Sequence, residues 1–145
     1  MIGIGCDHGG YELKEHIKNL LESKGLEVKD FGTHNTESID YPDIAIPLCN
    51  SVVSGECEFG ILTCGTGIGM SICANKINGI RAAHVTDSFS ARMTKMHNNS
   101  NVICLGGRIT GPEIATDIVE AYMNAEFMGG RHQNRVDKIM ELENK

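Results

Sequence analysis

The residues best suited to chemistry lie in one short segment, residues 61–70, with the sequence ILTCGTGIGM. An apolar run ends there at Cys64 and is followed by three alternate glycines, Gly65, Gly67 and Gly69. Glycines at the start of a helix expose backbone N–H groups, which favour a bound anion or a negative charge that develops during a reaction. The same position lowers the pKa of a thiol, so Cys64 could act as a nucleophile or as a base.

A nucleotide and a metal ion are two alternative ligands for this loop. The loop lacks the Lys-Ser/Thr pair of a Walker motif, and its third glycine comes one position too early for a dinucleotide fingerprint. The residues that could supply mixed ligands for zinc are Asp7, His8, Cys64 and His97. No short-spaced pair such as CxxC or HxxxH anchors them, so we favour an oxyanion site and expect no metal.

A basic cluster near the end of the chain offers a place for phosphate. In residues 129–135, GGRHQNR, Arg131 and Arg135 are four residues apart and would share one face of a helix. Two adjacent guanidinium groups suit a phosphate dianion, although a solvated basic face has the same pattern. Arg108, which follows the last predicted strand, could add a third donor.

The composition indicates one α/β domain that covers residues 1–145. Hydrophobic residues make up 41% of the chain, and 17 glycines are spread along it. A net charge of -6 argues against a general nucleic-acid binder, and no run approaches the roughly 18 apolar residues of a membrane span. The six cysteines form no CxxC pair and the start has no signal-peptide pattern, so we expect a cytoplasmic protein whose reduced thiols are mostly buried.

Strand and helix patterns alternate along the whole chain. Apolar runs predict five strands, at residues 2–6, 26–31, 59–63, 80–85 and 102–105. Helical spacing or helix-start signals follow each strand, with helices at about 13–24, 42–52, 67–77, 88–97 and 112–126 and a last helix at about 133–142. Strands that alternate with helices in this way imply a parallel sheet covered on both faces.

The loops after parallel strands gather at one edge of the sheet, where open α/β folds bind ligands. On that edge we expect Asp7, His8, Tyr41, the Cys64 loop and Arg108. His97 poses a geometric problem, because it follows a helix of about 10 residues, roughly 15 Å long, that starts at the same edge. His97 and the C-terminal arginines should therefore lie at the opposite edge. If they serve the Cys64 site, they most simply come from a second subunit.

Six segments of the chain, taken in order, match a known pattern. They are GCDHGG at 5–10, DYPD at 40–43, CGTGIGMSICANK at 64–76, GIRAA at 79–83, HNNSNV at 97–102 and GGRHQNRVDKI at 129–139. Together they resemble the ribose-5-phosphate isomerase B family nearly from end to end. The resemblance implies a three-layer α/β/α Rossmann-like domain with a five-stranded parallel sheet. It also implies a homodimer, possibly a tetramer, that needs no metal or organic cofactor and interconverts an aldose phosphate and its ketose through a cis-enediolate.

The resemblance further implies a role for each matching residue. Cys64 would move a proton between C1 and C2 of the sugar, and Thr66 and His97 would open the furanose ring. The implied substrate-binding residues are Asp7, His8, Tyr41, Gly65, Gly67, Gly69, Asn98, Arg108, Arg131 and Arg135. Within this set, His8 and the three arginines would bind the phosphate, and the glycine loop would stabilise the enediolate oxygen.

The substrate stays open at this point, because the same family includes galactose-6-phosphate isomerase subunits and allose-6-phosphate isomerases. We expect ribose 5-phosphate and ribulose 5-phosphate, with allose or galactose 6-phosphate as alternatives. A non-catalytic phosphosugar-binding module and a flavodoxin-like electron carrier are rivals from other functional classes. No nucleic-acid or membrane partner is expected.

Overall fold

The computed structural model describes residues 1–144. The strands are β1 (Ile2–Cys6), β2 (Val28–Asp30), β3 (Phe59–Cys64), β4 (Ala82–His84) and β5 (Val102–Gly106). The helices are α1 (Tyr11–Ser23), α2 (Pro42–Val53), α3 (Ile68–Asn75), α4 (Ser88–Asn98), α5 (Pro112–Met123) and α6 (Arg131–Glu141), with a 3-10 turn at His8–Gly10. No helix in this part of the chain is long and apolar enough to cross a membrane.

The sheet has the strand order β2-β1-β3-β5-β4, and every neighbouring pair is parallel. All residues of the central strands β1, β3 and β5 are buried, which explains why their sequences, apart from Thr63, are apolar instead of alternating. In the register of these strands Cys6 pairs with Thr63, and Cys64 pairs with Gly106. The three strands therefore finish together at one edge of the sheet.

Helices cover both faces of the sheet and form two separate cores. On one face α1, α4 and α5 contribute to a core that includes Ile4, Leu13, Ile17, Ile61, Ala91, Ile103, Ile118 and Tyr122. On the other face α2 and α3 contribute to a core that includes Ala45, Leu48, Leu62, Met70, Val102 and Cys104. The predicted three-layer α/β/α architecture with five parallel strands is confirmed.

The ends of some elements differ from the predicted ranges. Strands predicted at 26–31 and 80–85 are only three residues long as β2 and β4, because each lies at an edge and pairs on one side only. The helix expected from residue 67 begins one residue later, since Gly67 has a left-handed φ of 83°. α5 ends at Met123 instead of 126. α6, expected at about 133–142, begins at Arg131, directly after two glycines with positive φ.

A buried lysine joins α1 to the loop that carries Tyr41. The Nζ of Lys14, which is fully buried, donates hydrogen bonds to both carboxylate oxygens of Asp30 (3.1 and 2.9 Å) and to Thr33 O (2.7 Å). Burial alone would raise the pKa of Asp30, but hydrogen bonds from Lys14 and from Gly32 N–H bring that pKa below its usual value. This network fixes the start of the loop over residues 31–41.

Candidate active site

Cys64 ends β3 at the edge where the three central strands finish. Its side chain is 5% exposed, and its Sγ accepts a hydrogen bond from Gly67 N–H at 3.1 Å. The main chain here is held by the loop after β5, because Gly107 N–H donates to Cys64 O (2.8 Å) and Arg108 N–H donates to Gly65 O (3.0 Å). The sulfur thus faces a backbone N–H group just before α3 begins. The geometry therefore suits a thiol that acts as a base.

Three other cysteines have surroundings that keep them protonated. Burial raises the pKa of the Cys6 thiol to about 11 and that of Cys49 to about 12. Burial also raises the pKa of Cys104 well above its usual value. These side chains pack inside the protein as small apolar groups. Their surroundings fit the structural role that the sequence predicted for most of the cysteines.

The glycines of the loop after Cys64 pack so closely on neighbouring residues that a side chain at these positions would clash. At Gly67 a Cβ would lie 2.8 Å from the carbonyl carbon of Leu105 and 2.9 Å from Cδ2 of His84, a residue that the sequence did not predict at the site. Thr66 is exposed, and its Oγ1 accepts a hydrogen bond from Ile68 N–H at 3.2 Å. The loop thus presents backbone N–H groups and one hydroxyl at the start of α3.

Tyr41 and Arg108 lie over this loop from two different directions. A Cβ on Gly69 would lie 2.8 Å from Cζ of Tyr41, so the phenol ring covers that glycine. A Cβ on Gly65 would lie 3.1 Å from Nη1 of Arg108, so the guanidinium group covers the first glycine. The sequence predicted both side chains at this edge, and the structure places them there.

Asp7 and His8 approach the loop from the end of β1. A Cβ on Gly9 would lie 3.0 Å from the backbone nitrogen of Gly65, so this turn packs directly on the loop. Asp7 is 7% exposed, and its Oδ1 accepts hydrogen bonds from two backbone N–H groups of the turn, at 2.8 and 3.2 Å. His8 Nδ1 accepts from Ile39 N–H at 3.3 Å, which places the proton of the neutral ring on Nε2, where it can donate to an anion.

The remaining predicted site residues lie at the opposite edge of the sheet: His97, Asn98, Arg131 and Arg135. α4 starts just after β4 and runs for 11 residues, or about 16 Å, so its last turn, with His97, lies near the start of β5. Arg131 and Arg135 occupy the first turns of α6, and both are exposed. Within one copy of the chain, the structure does not bring these four residues to Cys64.

The ligands considered for zinc are divided in the same way. Asp7, His8 and Cys64 are at one edge, and His97 is at the other. Across residues 1–144, no three His, Cys, Asp or Glu side chains are placed so that they could hold a metal ion. Within one copy of the described chain, the four side chains therefore do not form a zinc site.

Comparison with known proteins decides the family. A family model described as Ribose/Galactose Isomerase matches residues 2–139. The chain belongs to this family. Ribose-5-phosphate isomerase B of Escherichia coli is 46% identical, over 98% of this chain and 95% of that protein. D-erythrulose-4-phosphate isomerase of Pectobacterium atrosepticum is 47% identical, over 95% of this chain and 91% of that protein.

Solved structures agree with this assignment to the ribose/galactose isomerase family. Ribose-5-phosphate isomerase B of Clostridium thermocellum is 55% identical with a TM-score of 0.97, over 99% of this chain and 97% of that chain. Ribose-5-phosphate isomerase B of Mycoplasma genitalium, solved with bound ribulose-5-phosphate, is 38% identical with a TM-score of 0.95, over 99% of this chain and 96% of that chain. The resemblance predicted from the six segments is confirmed.

In this ribose/galactose isomerase family member, Arg81 and His132 contact residues at the edge of the sheet opposite Cys64. The sequence did not predict either contact. Arg81 donates hydrogen bonds to Asn98 O (3.1 Å) and Asn99 O (2.7 Å), at the end of α4. His132 stacks on His97, with ring centroids 4.2 Å apart. Both residues lie inside segments that carry the family resemblance, GIRAA and GGRHQNR, but their contacts arise only when distant parts of the chain pack together.

Proposed function

We propose that this chain is an aldose–ketose isomerase that interconverts ribose 5-phosphate and ribulose 5-phosphate through a cis-enediolate. The observation that carries the proposal is the hydrogen bond from Gly67 N–H to Cys64 Sγ at 3.1 Å, at the strand edge where Asp7, His8, Tyr41 and Arg108 gather. The choice of substrate is supported by the Escherichia coli relative and by the Mycoplasma genitalium structure, whose bound molecule is ribulose-5-phosphate.

In the proposed reaction Cys64 acts as the base. The thiolate takes the proton from C2 of the open-chain aldose, and the electron pair moves into the C1 carbonyl to give a cis-enediolate. The thiol then returns the proton to C1, while the proton of the C2 hydroxyl moves to the oxygen on C1. The product is the ketose, with no net gain or loss of electrons or protons. We assign to Asp7 the task of holding the sugar hydroxyls during the transfer.

The glycine loop supplies the stabilisation that this intermediate needs. Negative charge develops on a sugar oxygen, and the backbone N–H groups of Gly65, Gly67 and Gly69 lie at the start of α3, where such charge is favoured. Tyr41 covers the loop and would line the sugar site. A thiol base and backbone donors together perform the whole proton transfer, so we propose that the enzyme uses no metal or organic cofactor.

Ring opening and phosphate binding complete the proposal. Ribose 5-phosphate is mainly a furanose, so a proton must reach the ring oxygen before C2 becomes acidic. We assign this step to His97, because an imidazole can both donate and accept a proton, with help from Thr66. Phosphate would be bound by His8, Arg108, Arg131 and Arg135. Binding the phosphate far from the reacting carbons fixes their geometry.

These assignments require a homodimer with shared sites. His97 and Asn98 lie about 16 Å along α4 from the edge that holds Cys64, too far to reach the same sugar within one copy. We propose that a second copy supplies His97, Asn98, Arg131 and Arg135, and that the dimer can pair into a tetramer. A cytoplasmic location is also part of the proposal, since all six cysteines are free thiols, which fits a reducing compartment.

A panel of phosphorylated sugars tests the proposed function. Ribose 5-phosphate, allose 6-phosphate, galactose 6-phosphate and D-erythrulose 4-phosphate are assayed for isomerisation, with and without a metal chelator. We expect the highest kcat/KM with ribose 5-phosphate and no effect of the chelator. A higher value with a six-carbon sugar would favour one of the alternatives, a galactose 6-phosphate isomerase, which the family description includes, or an allose 6-phosphate isomerase. Tight binding of every sugar without turnover would instead indicate a phosphosugar-binding module.

A further inference from the structure

His132, in the first turn of α6, lies flat against His97 in the last turn of α4. The two imidazole rings have centroids 4.2 Å apart and planes only 7° from parallel. His132 is 7% exposed, whereas His97 is half-buried. The segment just before α6 is also tied to α4, because Met128 N–H donates to Met96 O at 3.0 Å.

We propose that His132 is a positioning residue for His97: its buried ring fixes the plane in which His97 presents its proton to the ring oxygen of the sugar. The inference rests on the ring-opening role proposed above for His97. His132 itself does not touch the reacting atoms. It acts by limiting the side-chain orientations of His97, which does contact them in the proposed reaction.

Orientation matters here because a proton transfer needs the donor nitrogen in line with the acceptor oxygen. A half-buried histidine at the end of a helix can rotate about two side-chain bonds, and most of the resulting orientations point its N–H groups away from the substrate. A flat surface against one face of the ring blocks rotation about the Cβ–Cγ bond, because that rotation would drive an edge of the ring into the surface. His132 provides such a surface, and burial under α4 keeps that surface in place.

The charge of His132 suits the same role. Burial lowers the pKa of His132, and the positive charges that face it, from His97 on α4 and from Arg131 and Arg135 on α6, lower it further. His132 is therefore neutral near pH 7. Two protonated rings at 4.2 Å would repel each other, whereas a neutral ring can lie beside His97 in either of its protonation states.

The direction of the reaction provides a readout that a purely structural role would not change. Ribose 5-phosphate must be opened before isomerisation. Ribulose 5-phosphate is already open-chain, because the oxygen that would close a five-membered ring carries the phosphate. At saturating substrate, loss of ring opening therefore lowers kcat from ribose 5-phosphate and spares kcat from ribulose 5-phosphate. The KM values shift in compensation, because the equilibrium constant fixes the ratio of the two kcat/KM values. Loss of folding or of phosphate binding slows both.

The experiment measures kcat in both directions for wild type, His132→Ala, His132→Phe and His97→Asn. Val136→Ala is the matched control, because Val136 is buried on the same helix at 4% exposure and belongs to no proposed site. We expect His132→Ala to lower kcat from ribose 5-phosphate by about tenfold or more while the reverse kcat stays close to wild type. His132→Phe keeps a flat ring and should restore most of the forward rate. Val136→Ala should leave the ratio of the two rates unchanged.

Different failures of this experiment have different meanings. Equal losses in both directions for His132→Ala, no recovery in His132→Phe, or a changed ratio in Val136→Ala would overturn the positioning role alone. If His97→Asn showed no forward-specific loss, the ring-opening role would fall, and the inference with it. A wild-type chain that turned over neither substrate would overturn the proposed function itself.

Discussion

The donors around each sulfur distinguish Cys64 from a buried cysteine of the core. Gly67 N–H donates to Cys64 Sγ at 3.1 Å, whereas Cys6 Sγ itself donates to Thr33 O at 3.7 Å. A sulfur that accepts from an N–H group can carry negative charge, and one that donates to a carbonyl keeps its proton. Burial, and not the contact with Thr33 O, raises the pKa of Cys6 to about 11. Both cysteines end a strand, so the feature that distinguishes Cys64 is the backbone donor in the loop after β3.

Replacing Cys64 with alanine should remove the base. We expect kcat from ribose 5-phosphate to fall by at least about 10²-fold, the usual contribution of a positioned base, and exchange of the C2 proton with solvent to stop. NMR in deuterated water measures the exchange directly. Cys104→Ala, which removes a buried thiol from the neighbouring strand, should leave exchange nearly normal. Normal exchange in Cys64→Ala would remove the assigned role.

Gly67→Ala should damage the site, whereas Gly55→Ala should not. Both glycines have left-handed φ values, 83° and 86°, so each substitution should cost about 1–2 kcal/mol in backbone strain. At Gly55 a Cβ would have nothing within 4 Å, but at Gly67 it would lie 2.8 Å from the main chain of Leu105. We therefore expect lower kcat and a further loss of stability only for Gly67→Ala. Steady-state assays measure kcat, and urea unfolding measures the free energies of unfolding. Equal kcat values and equal free energies of unfolding for the two variants would contradict this account of the loop.

Helices and strands position the site partly through the network of Lys14, Asp30 and Thr33. It joins α1, β2 and the loop that leads to Tyr41. The side chain of Asp30 is 10% exposed and that of Lys14 is fully buried. Removing one partner of a buried pair of this kind leaves the other charge buried and unpaired, which lowers the free energy of unfolding.

Lys14→Met should therefore lower the free energy of unfolding by about 3–5 kcal/mol. Lys18→Met is the matched control, because Lys18 Nζ also donates to Asp30 (3.2 Å) but its side chain is 30% exposed. For that variant we expect a loss of no more than about 1 kcal/mol. Urea unfolding measures both values. Similar losses in the two variants would mean that burial of Lys14 does not govern the network.

The lowered pKa of Asp30 predicts how acid affects stability. A carboxylate whose pKa is lower in the folded state binds fewer protons there than in the unfolded state. Its contribution is complete above the unfolded pKa of about 3.9 and is lost as pH falls through the folded value. Asp30→Asn should therefore show a shallower loss of unfolding free energy below about pH 4 than wild type. Parallel curves for the two proteins would contradict this prediction.

The sequence predicted the elements that depend on local pattern. Apolar runs located the five strands, and the strand ends indicated that Asp7, Tyr41, Cys64 and Arg108 would gather at one edge. The sequence overestimated the lengths of the edge strands β2 and β4, because those lengths depend on pairing with β1 and β5. It also missed the contacts of Arg81 and His132, because no pattern of spacing shows which helix ends will pack together.

At the scale of the whole molecule, the residues proposed for catalysis form two groups on opposite edges of one sheet. Neither group is a complete site, because the base and oxyanion loop are in one group and the ring-opening histidine is in the other. α3, which starts at the Cys64 loop, also carries exposed apolar side chains, with Ile68 48% and Ile72 59% exposed. Such a surface beside an incomplete site is where we propose that a second copy docks.

Mixing two inactive variants tests this account most directly. Cys64→Ala and His97→Asn subunits are prepared separately, exchanged, and assayed with ribose 5-phosphate, with exchange verified by native mass spectrometry. Half of the dimers in an equal mixture are mixed, and one of the two sites in each of these keeps both residues. We therefore predict recovery to about a quarter of the wild-type specific activity. No recovery despite verified exchange would contradict the shared site and would require Cys64 and His97 to act within one chain.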